Sequence, residues 1–284
     1  MDNLNIRTIN GYTVQLTAEH IYALDEFGTD IMYLVEGKER AMLVDTGAGV
    51  GPLKETVEAL TDKPVFVVNT HGHVDHALGN HEFDEVYINQ KDEWMIEPSY
   101  MTRERWQAFC VKEMKEPGYT GPDLEGKELR LAKPSGYITE GMRFDLGDRE
   151  FEAIGISGHT PGSMVFLDGK NRILISGDSI VSTPILIFDT YSTSVEAYLE
   201  DLKKLAAREG EFDLIFPGHF LRPIGKKYLF DLMGCAEEIL AGNAEPEIID
   251  FSHMSDEPAL IHRYGQASIV YNGKHIRNET KKRS

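Results

Sequence analysis

Cysteine is scarce in this chain: two residues in 284, Cys110 and Cys235, in no metal-ligand spacing. Two cysteines make no disulfide framework, so both read as free thiols of a reducing compartment. Basic charge is also short. Against 47 acidic residues stand 29 basic ones, a formal net charge of −18. The footprint that nucleic acid requires is missing, and nucleic acid is not expected as a partner. The basic tip Lys281-Lys282-Arg283 is too short to change that and reads as a solvated end. There is no apolar run long enough for a transmembrane helix. Met1 to Arg7 lack the basic and apolar regions of a signal peptide. A soluble cytoplasmic protein without a membrane partner is therefore expected. Hydrophobic residues make up 41% of the chain, enough for a sizeable core, and the length suits one or two domains.

Histidine, by contrast, is concentrated in one place. The run Val65-Phe66-Val67-Val68 reads as a buried strand, and after Asn69-Thr70 come His71, His73, Asp75 and His76 within six residues. A core has no use for such a set, since imidazoles and a carboxylate are costly to bury unless something satisfies them, as a metal ion does. If residues 71 to 76 form a loop running into a helix, His71 and His73 converge on one point and Asp75 and His76 on another. That division suggests a binuclear site, in which two ions act together as Lewis acid and as generator of a nucleophile.

The surroundings are α/β. Short apolar bursts at Tyr12–Leu16, His20–Leu24, Asp30–Val35 and Arg40–Val44 predict a β-meander, and Leu53, Val57 and Leu60 have helical spacing. The meander delivers Asp45 to a strand end, where it is either a turn residue or an outer carboxylate that orients a ligand. Further strands are expected at Phe83–Ile88 and from Phe144 to Ile154. A hairpin is expected from Met164–Leu167 to Ile173–Ile175, and helices over 195–206 and 227–241. Two more histidines sit on tight turns after strands: His159 in Gly158-His159-Thr160-Pro161-Gly162, and His219 in Pro217-Gly218-His219. Asp178 ends another strand. The Asn272-Gly273 pair predicts a closing hairpin between Ala267–Tyr271 and His275–Arg277.

Two stretches read either way. Residues 90 to 140 hold both tryptophans, Trp94 and Trp106, among many charges. Their aromatic stripe is either core packing or a lid that walls a substrate pocket. Thr183 to Phe188 is a buried strand, or it lines that pocket with Phe188 and Tyr191. An inward-pointing Tyr191 could donate to a developing oxyanion.

The motifs Asp45-Thr46-Gly47, His71-x-His73-x-Asp75-His76, Gly158-His159-Thr160-Pro161-Gly162, Ser176-Gly177-Asp178 and Pro217-Gly218-His219 resemble, in order, the signature segments of the metallo-β-lactamase superfamily. The resemblance spans about residues 20 to 220. It implies one α/β domain over 1–284, an αββα sandwich of two mixed sheets flanked by helices. The region at about 90–140 would then be an insertion and the part after about 225 a C-terminal extension. Carried over by motif, His71, His73 and His159 would hold a first metal, Asp75, His76 and His219 a second, and Asp178 would bridge them. Two divalent ions, zinc before iron or manganese, would generate a bridging hydroxide, with Asp75 moving a proton. Where Asp178 stands, true β-lactamases usually carry Cys or Ser. The aspartate resembles instead the glyoxalase II-like thioesterases, lactonases and phosphodiesterases. The resemblance thus implies a hydrolase cleaving an ester, thioester or lactone of a small molecule, with a homodimer as a plausible assembly. The alternatives it leaves are a phosphodiesterase, a mononuclear-iron persulfide dioxygenase, and a binding protein without turnover.

Overall fold

The computed structural model describes residues 5–113, 124–187, 191–220, 222–250 and 258–278. The chain divides into two compact units. The first comprises Met1–Ile154 with Gly218–Pro223, the second Gly155–Pro217 with Ile224–Ser284.

The first unit is built on an eight-stranded sheet whose strands follow chain order: β1 (Ile6–Ile9), β2 (Tyr12–Ala18), β3 (Ile21–Asp25), β4 (Ile31–Glu36), β5 (Ala41–Val44), β6 (Val65–Val68), β7 (Val86–Ile88) and β8 (Gly136–Tyr137). The meander expected between residues 11 and 45 is present, with β1 to β5 antiparallel. From β5 onward the strands are parallel. Parallel neighbours need a crossover, and α1 (Leu53–Glu58) supplies the first. Val14, Leu24, Leu34, Leu43 and Val67 from the sheet pack with Leu53 and Val57 of α1 in one apolar cluster. Parallelism matters for the site, because it brings the residues after β5 and β6 to one sheet edge. There Asp45 N–H donates to Val68 O over 3.0 Å. After β6 comes α2 (Val74–Ala77), a single turn, and after β7 come a 3₁₀ segment (Gln90–Ile96) and α3 (Arg103–Glu113). A hairpin of β9 (Arg143–Asp145) and β10 (Glu150–Gly155) completes the elements of this unit.

The second unit holds the hairpin of β11 (Met164–Asp168) and β12 (Ile173–Gly177), closed by Asp168, whose carboxylate accepts from the backbone N–H and side-chain amide of Asn171. Beside β12 runs β14 (Leu214–Pro217), parallel to it, and the short β15 (Ile224–Gly225) pairs antiparallel with β14. A four-stranded sheet has the order β13 (Ile185–Ile187), β18 (Ala267–Tyr271), β17 (Ala259–Tyr264), β16 (Glu247–Ile249). The helices α4 (Val195–Ala206) and α5 (Lys227–Ala241) match their expected bounds and pack on each other, α5 also covering β17 and β18. Ser194 caps α4, its hydroxyl accepting from Ala197 N–H. Gly242, at φ +71°, ends α5 in the left-handed region.

The closing hairpin differs from expectation. β18 pairs with β17 across Gly265-Gln266, not with residues 275–277 across Asn272-Gly273. Asn272 instead starts a tight local turn, its side-chain oxygen accepting from Lys274 N–H. The segment after it caps a helix: the carbonyls of His275 and Ile276 accept from Val195 and Glu196 N–H in the first turn of α4. Helix-end donors need partners, and this segment supplies them.

Candidate metal centre

In the first unit the site grows from the ends of β5 and β6. Asp45 leaves β5 at φ +63°, a conformation that short polar side chains tolerate. Its buried carboxylate accepts from the backbone N–H of Thr70 (2.7 Å) and from the Thr70 hydroxyl (2.7 Å), which closes the loop after β6. The same Oδ2 lies 3.0 Å from Nδ1 of His76. A buried amide pair braces the loop from below: Asn69 donates to His76 O, and Asn80 donates to the Asn69 side chain. Thr46 joins them through Asn80 and through His76 O. Gly72 is required by space, since a Cβ there would stand 2.6 Å from the carbonyl oxygen of Asp92.

This network sets the tautomers. The Thr70 hydroxyl gives its one proton to Asp45. The Nδ1 of His71, 3.0 Å from the same hydroxyl oxygen, must therefore be the N–H that donates to it. His76 Nδ1 donates to Asp45, and His219 Nδ1 donates to Thr29 O over 2.6 Å. In all three rings the protonated nitrogen is held by protein, so Nε2 carries the lone pair. His73 is the exception in orientation, with its Nδ1 only 3.0 Å from Nε2 of His71. Two imidazole nitrogens bound to one tetrahedral zinc stand about 3.3 Å apart, given bonds of ~2.0–2.1 Å. A second group forms around Asp75, whose Oδ2 lies 3.6 Å from Nε2 of His76 and 4.0 Å from Nε2 of His219. The ligand atoms of Asp75, His76 and His219 all fall within 4.8 Å of one another. Four imidazole rings thus crowd together, His71 against His73 and His76 at centroid distances of 4.7 and 4.2 Å, and His76 against His219 at 5.6 Å. Oriented neutral imidazoles with a carboxylate among them are a donor set for a divalent transition metal, and this set fits one.

The second unit carries the remaining pair. His159 Nε2 lies 3.6 Å from Asp178 Oδ2, and both side chains are largely buried. His159 Nδ1 donates to Leu186 O (3.0 Å), which again leaves the lone pair on Nε2.

The family model described as the metallo-beta-lactamase superfamily matches residues 31–219. The chain belongs to the metallo-beta-lactamase superfamily. Among superfamily relatives, the acyl-coenzyme A thioesterase MBLAC2 of Homo sapiens is 26% identical over 217 residues, 71% of this chain and 76% of its own length. The hydroxyacylglutathione hydrolase of Francisella tularensis subsp. tularensis is 23% identical over 192 residues, 66% of this chain and 61% of that protein. Among solved structures, a metallo-beta-lactamase family protein from Thermus thermophilus shares the fold with a TM-score of 0.57 at 19% identity. That likeness covers 81% of this chain and 85% of the other. The fold is therefore the mixed α/β fold of the superfamily, a hydrolase-type superfamily that generally binds divalent metals.

Of the residues expected to line a substrate pocket, Trp94 and Trp106 lie in the first unit and Tyr191 in the second. Trp106 is a core residue: it is 1% exposed, its indole N–H donates to Ala48 O over 2.8 Å, and it packs with Val50, Ile96 and Cys110. It walls no pocket. Trp94 is half-buried, edge-on to Tyr100 at 4.7 Å. Tyr191 is buried in the second unit. Phe188 lies outside the described residues. Several structural partners of the candidate ligands carry no motif and escape sequence reading: Thr70, Asn69, Asn80 and Thr29. Another is Asp30, fully buried beside the site, whose carboxyl is pushed well above its ordinary range by burial. For Asn69 and Thr70 a signal was available, since polar residues directly between a buried strand and a ligand run have little else to do.

Proposed function

We propose that this protein is a binuclear metallohydrolase that cleaves the thioester of a small molecule. The observation that carries the reading is the orientation of the imidazoles. In His71, His76, His159 and His219 alike, Nδ1 faces a protein oxygen at hydrogen-bond distance, which makes Nε2 the nitrogen to offer a metal. The ligand set follows the family resemblance: His71, His73 and His159 for one ion, Asp75, His76 and His219 for the other, Asp178 between them. Divalent ions there, zinc by the imidazole-rich donor set, would supply Lewis acidity at the carbonyl and an acidified water. The chain's own residues do the rest. Asp45 fixes His71 through Thr70, and His76 directly, so both rings present the same face in every turnover. Asp75 has a carboxylate placed to hold a proton and pass it to the departing thiolate. The thioester is favoured over esters and lactones because two relatives bear the names acyl-coenzyme A thioesterase and hydroxyacylglutathione hydrolase.

The test is metal analysis of protein purified without an affinity tag, followed by assay of acyl thioesters. Near two zinc per chain, thioesterase activity lost on chelation and restored by zinc is the expected result. Close to one iron per chain, with oxygen uptake in place of hydrolysis, would overturn it in favour of the dioxygenase reading.

A further inference from the structure

Tyr198 lies in the first turns of α4, fully buried, and it touches both ligand loops of the second unit. Its ring packs on the turn before His159: a Cβ on Gly158, which sits at φ +149°, would stand 2.5 Å from Cδ2 of Tyr198. Its hydroxyl donates to the carbonyl oxygen of Ser179 over 2.6 Å, in the residue directly after Asp178. The chain leading into α4 grips the first loop as well. Ser192 Oγ donates to His159 O (2.9 Å), and Thr193 N–H donates to Gly158 O (2.9 Å). The Asp178 loop has its own internal tie, Ser179 N–H to Ser176 O, and α4 reaches it through the Tyr198 hydroxyl. One rigid aromatic side chain therefore spans the distance that decides whether His159 and Asp178 can share an ion.

We propose that Tyr198 is a positioning residue for the metal site, a strut that sets the 3.6 Å approach of His159 to Asp178. This rests on the reading of His159 and Asp178 as ligands. The phenol works only as a neutral donor, and its full burial keeps it one. Ligand supports of this kind change metal affinity about 10- to 100-fold when removed.

The experiment compares Tyr198→Phe, which keeps the ring on Gly158 and drops only the hydroxyl, with Leu202→Ala on the same helix. Leu202 is buried, and its apolar side chain can make no hydrogen bond to either loop. Zinc affinity is read by competition with a chromophoric chelator, and geometry by the visible spectrum of the cobalt-loaded chain. Tyr198→Phe is expected to lower zinc affinity at least tenfold and to shift the cobalt bands. Leu202→Ala is expected to lower thermal stability more while leaving affinity and spectrum as in the wild type. Equal affinity and unshifted bands for Tyr198→Phe would overturn the proposal, and so would an equal loss of affinity in Leu202→Ala. His159→Ala and Asp178→Ala separate this from a failure of the ligand reading. If neither changes zinc stoichiometry or affinity, the ligand reading itself falls, whatever Tyr198→Phe does.

Discussion

His76 Nδ1 donates to Asp45 Oδ2 across 3.0 Å, with both side chains shut away from solvent. The same carboxylate accepts from Thr70, which in turn accepts from His71. One residue that contacts no metal in the proposed site thus orients two that do. Asp45→Asn keeps a side chain that tolerates φ +63° but turns an amide N–H₂ toward a group that already donates. Zinc affinity is expected to fall about 10- to 100-fold, with the far-ultraviolet dichroism of the fold retained. Calorimetric titration of the chelated protein checks this, and an unchanged affinity would reduce Asp45 to a turn residue.

A buried carboxylate that sequence reading passed over has a pH signature. Glu26 is fully buried and accepts from the N–H groups of Ala48, Val50 and Gly51 and from the Tyr12 hydroxyl. Burial outweighs those donors and raises its pKa from 4.5 to about 7. The folded form therefore binds this proton more tightly than the unfolded chain does. The contribution to stability is complete below pH 4.5 and is lost as pH rises through about 7. Between pH 5 and 8 the loss amounts to about 2 kcal/mol. Glu26→Gln removes the titration, though it leaves the variant less stable, because its amide faces backbone donors. Urea unfolding of chelated protein at both pH values is expected to show the wild type losing about 2 kcal/mol more than the variant over that range. Parallel pH courses would mean that Glu26 keeps its charge throughout.

What could be read from the chain alone follows from how local the signal is. The β5 and β6 strands, α4 and α5 are each announced by apolar spacing within a dozen residues, the His71–His76 loop by its clustered ligand-type residues, and the structure has them where expected. Burial of a lone polar residue is not local. Nothing near Glu26 or Asp30 in sequence says that chain from positions 48–51 or the site itself will close over them. The misplaced hairpin has the same origin. Asn272-Gly273 is a strong turn signal, but the partner strand, Ala259–Tyr264, carries His262 in its middle and shows no clean alternation. Tertiary demand then used residues 275 and 276 to satisfy the start of α4. Aromatic residues stay ambiguous for a related reason: Trp106 looks the same in sequence whether it lines a cleft or fills a core.

That ambiguity can be tested directly. Trp106→Phe preserves most of the buried area but leaves Ala48 O without the indole donor, at a cost of about 1–3 kcal/mol. Trp106→Ala opens a cavity as well and should cost about 3–5 kcal/mol. Thermal unfolding is expected to rank wild type, Phe variant and Ala variant in that order. The turnover of the still-folded Phe variant, measured well below its midpoint, should stay within about twofold of wild type. A selective rise in KM with unchanged stability would return Trp106 to the substrate pocket.

Phe220, directly after His219, presents the opposite case. It is 63% exposed and held at φ +68°, a conformation that costs a bulky L-residue roughly 1–2 kcal/mol. A ring so exposed recovers little of that cost by packing. Its backbone has little choice, because Gly218 O accepts from Ile31 N–H at 2.7 Å and His219 Nδ1 is tied to Thr29. Strain that persists beside a proposed ligand is characteristic of sites where the side chain is needed. Phe220→Gly removes the strain at some cost in chain entropy, so the variant is expected to unfold at the same temperature or a few degrees higher. If the ring meets the apolar part of a thioester, the same variant should raise KM severalfold for long acyl chains and leave short ones unaffected, with kcat nearly constant. A stable variant with unchanged KM across chain lengths would show that the ring plays no part in binding substrate.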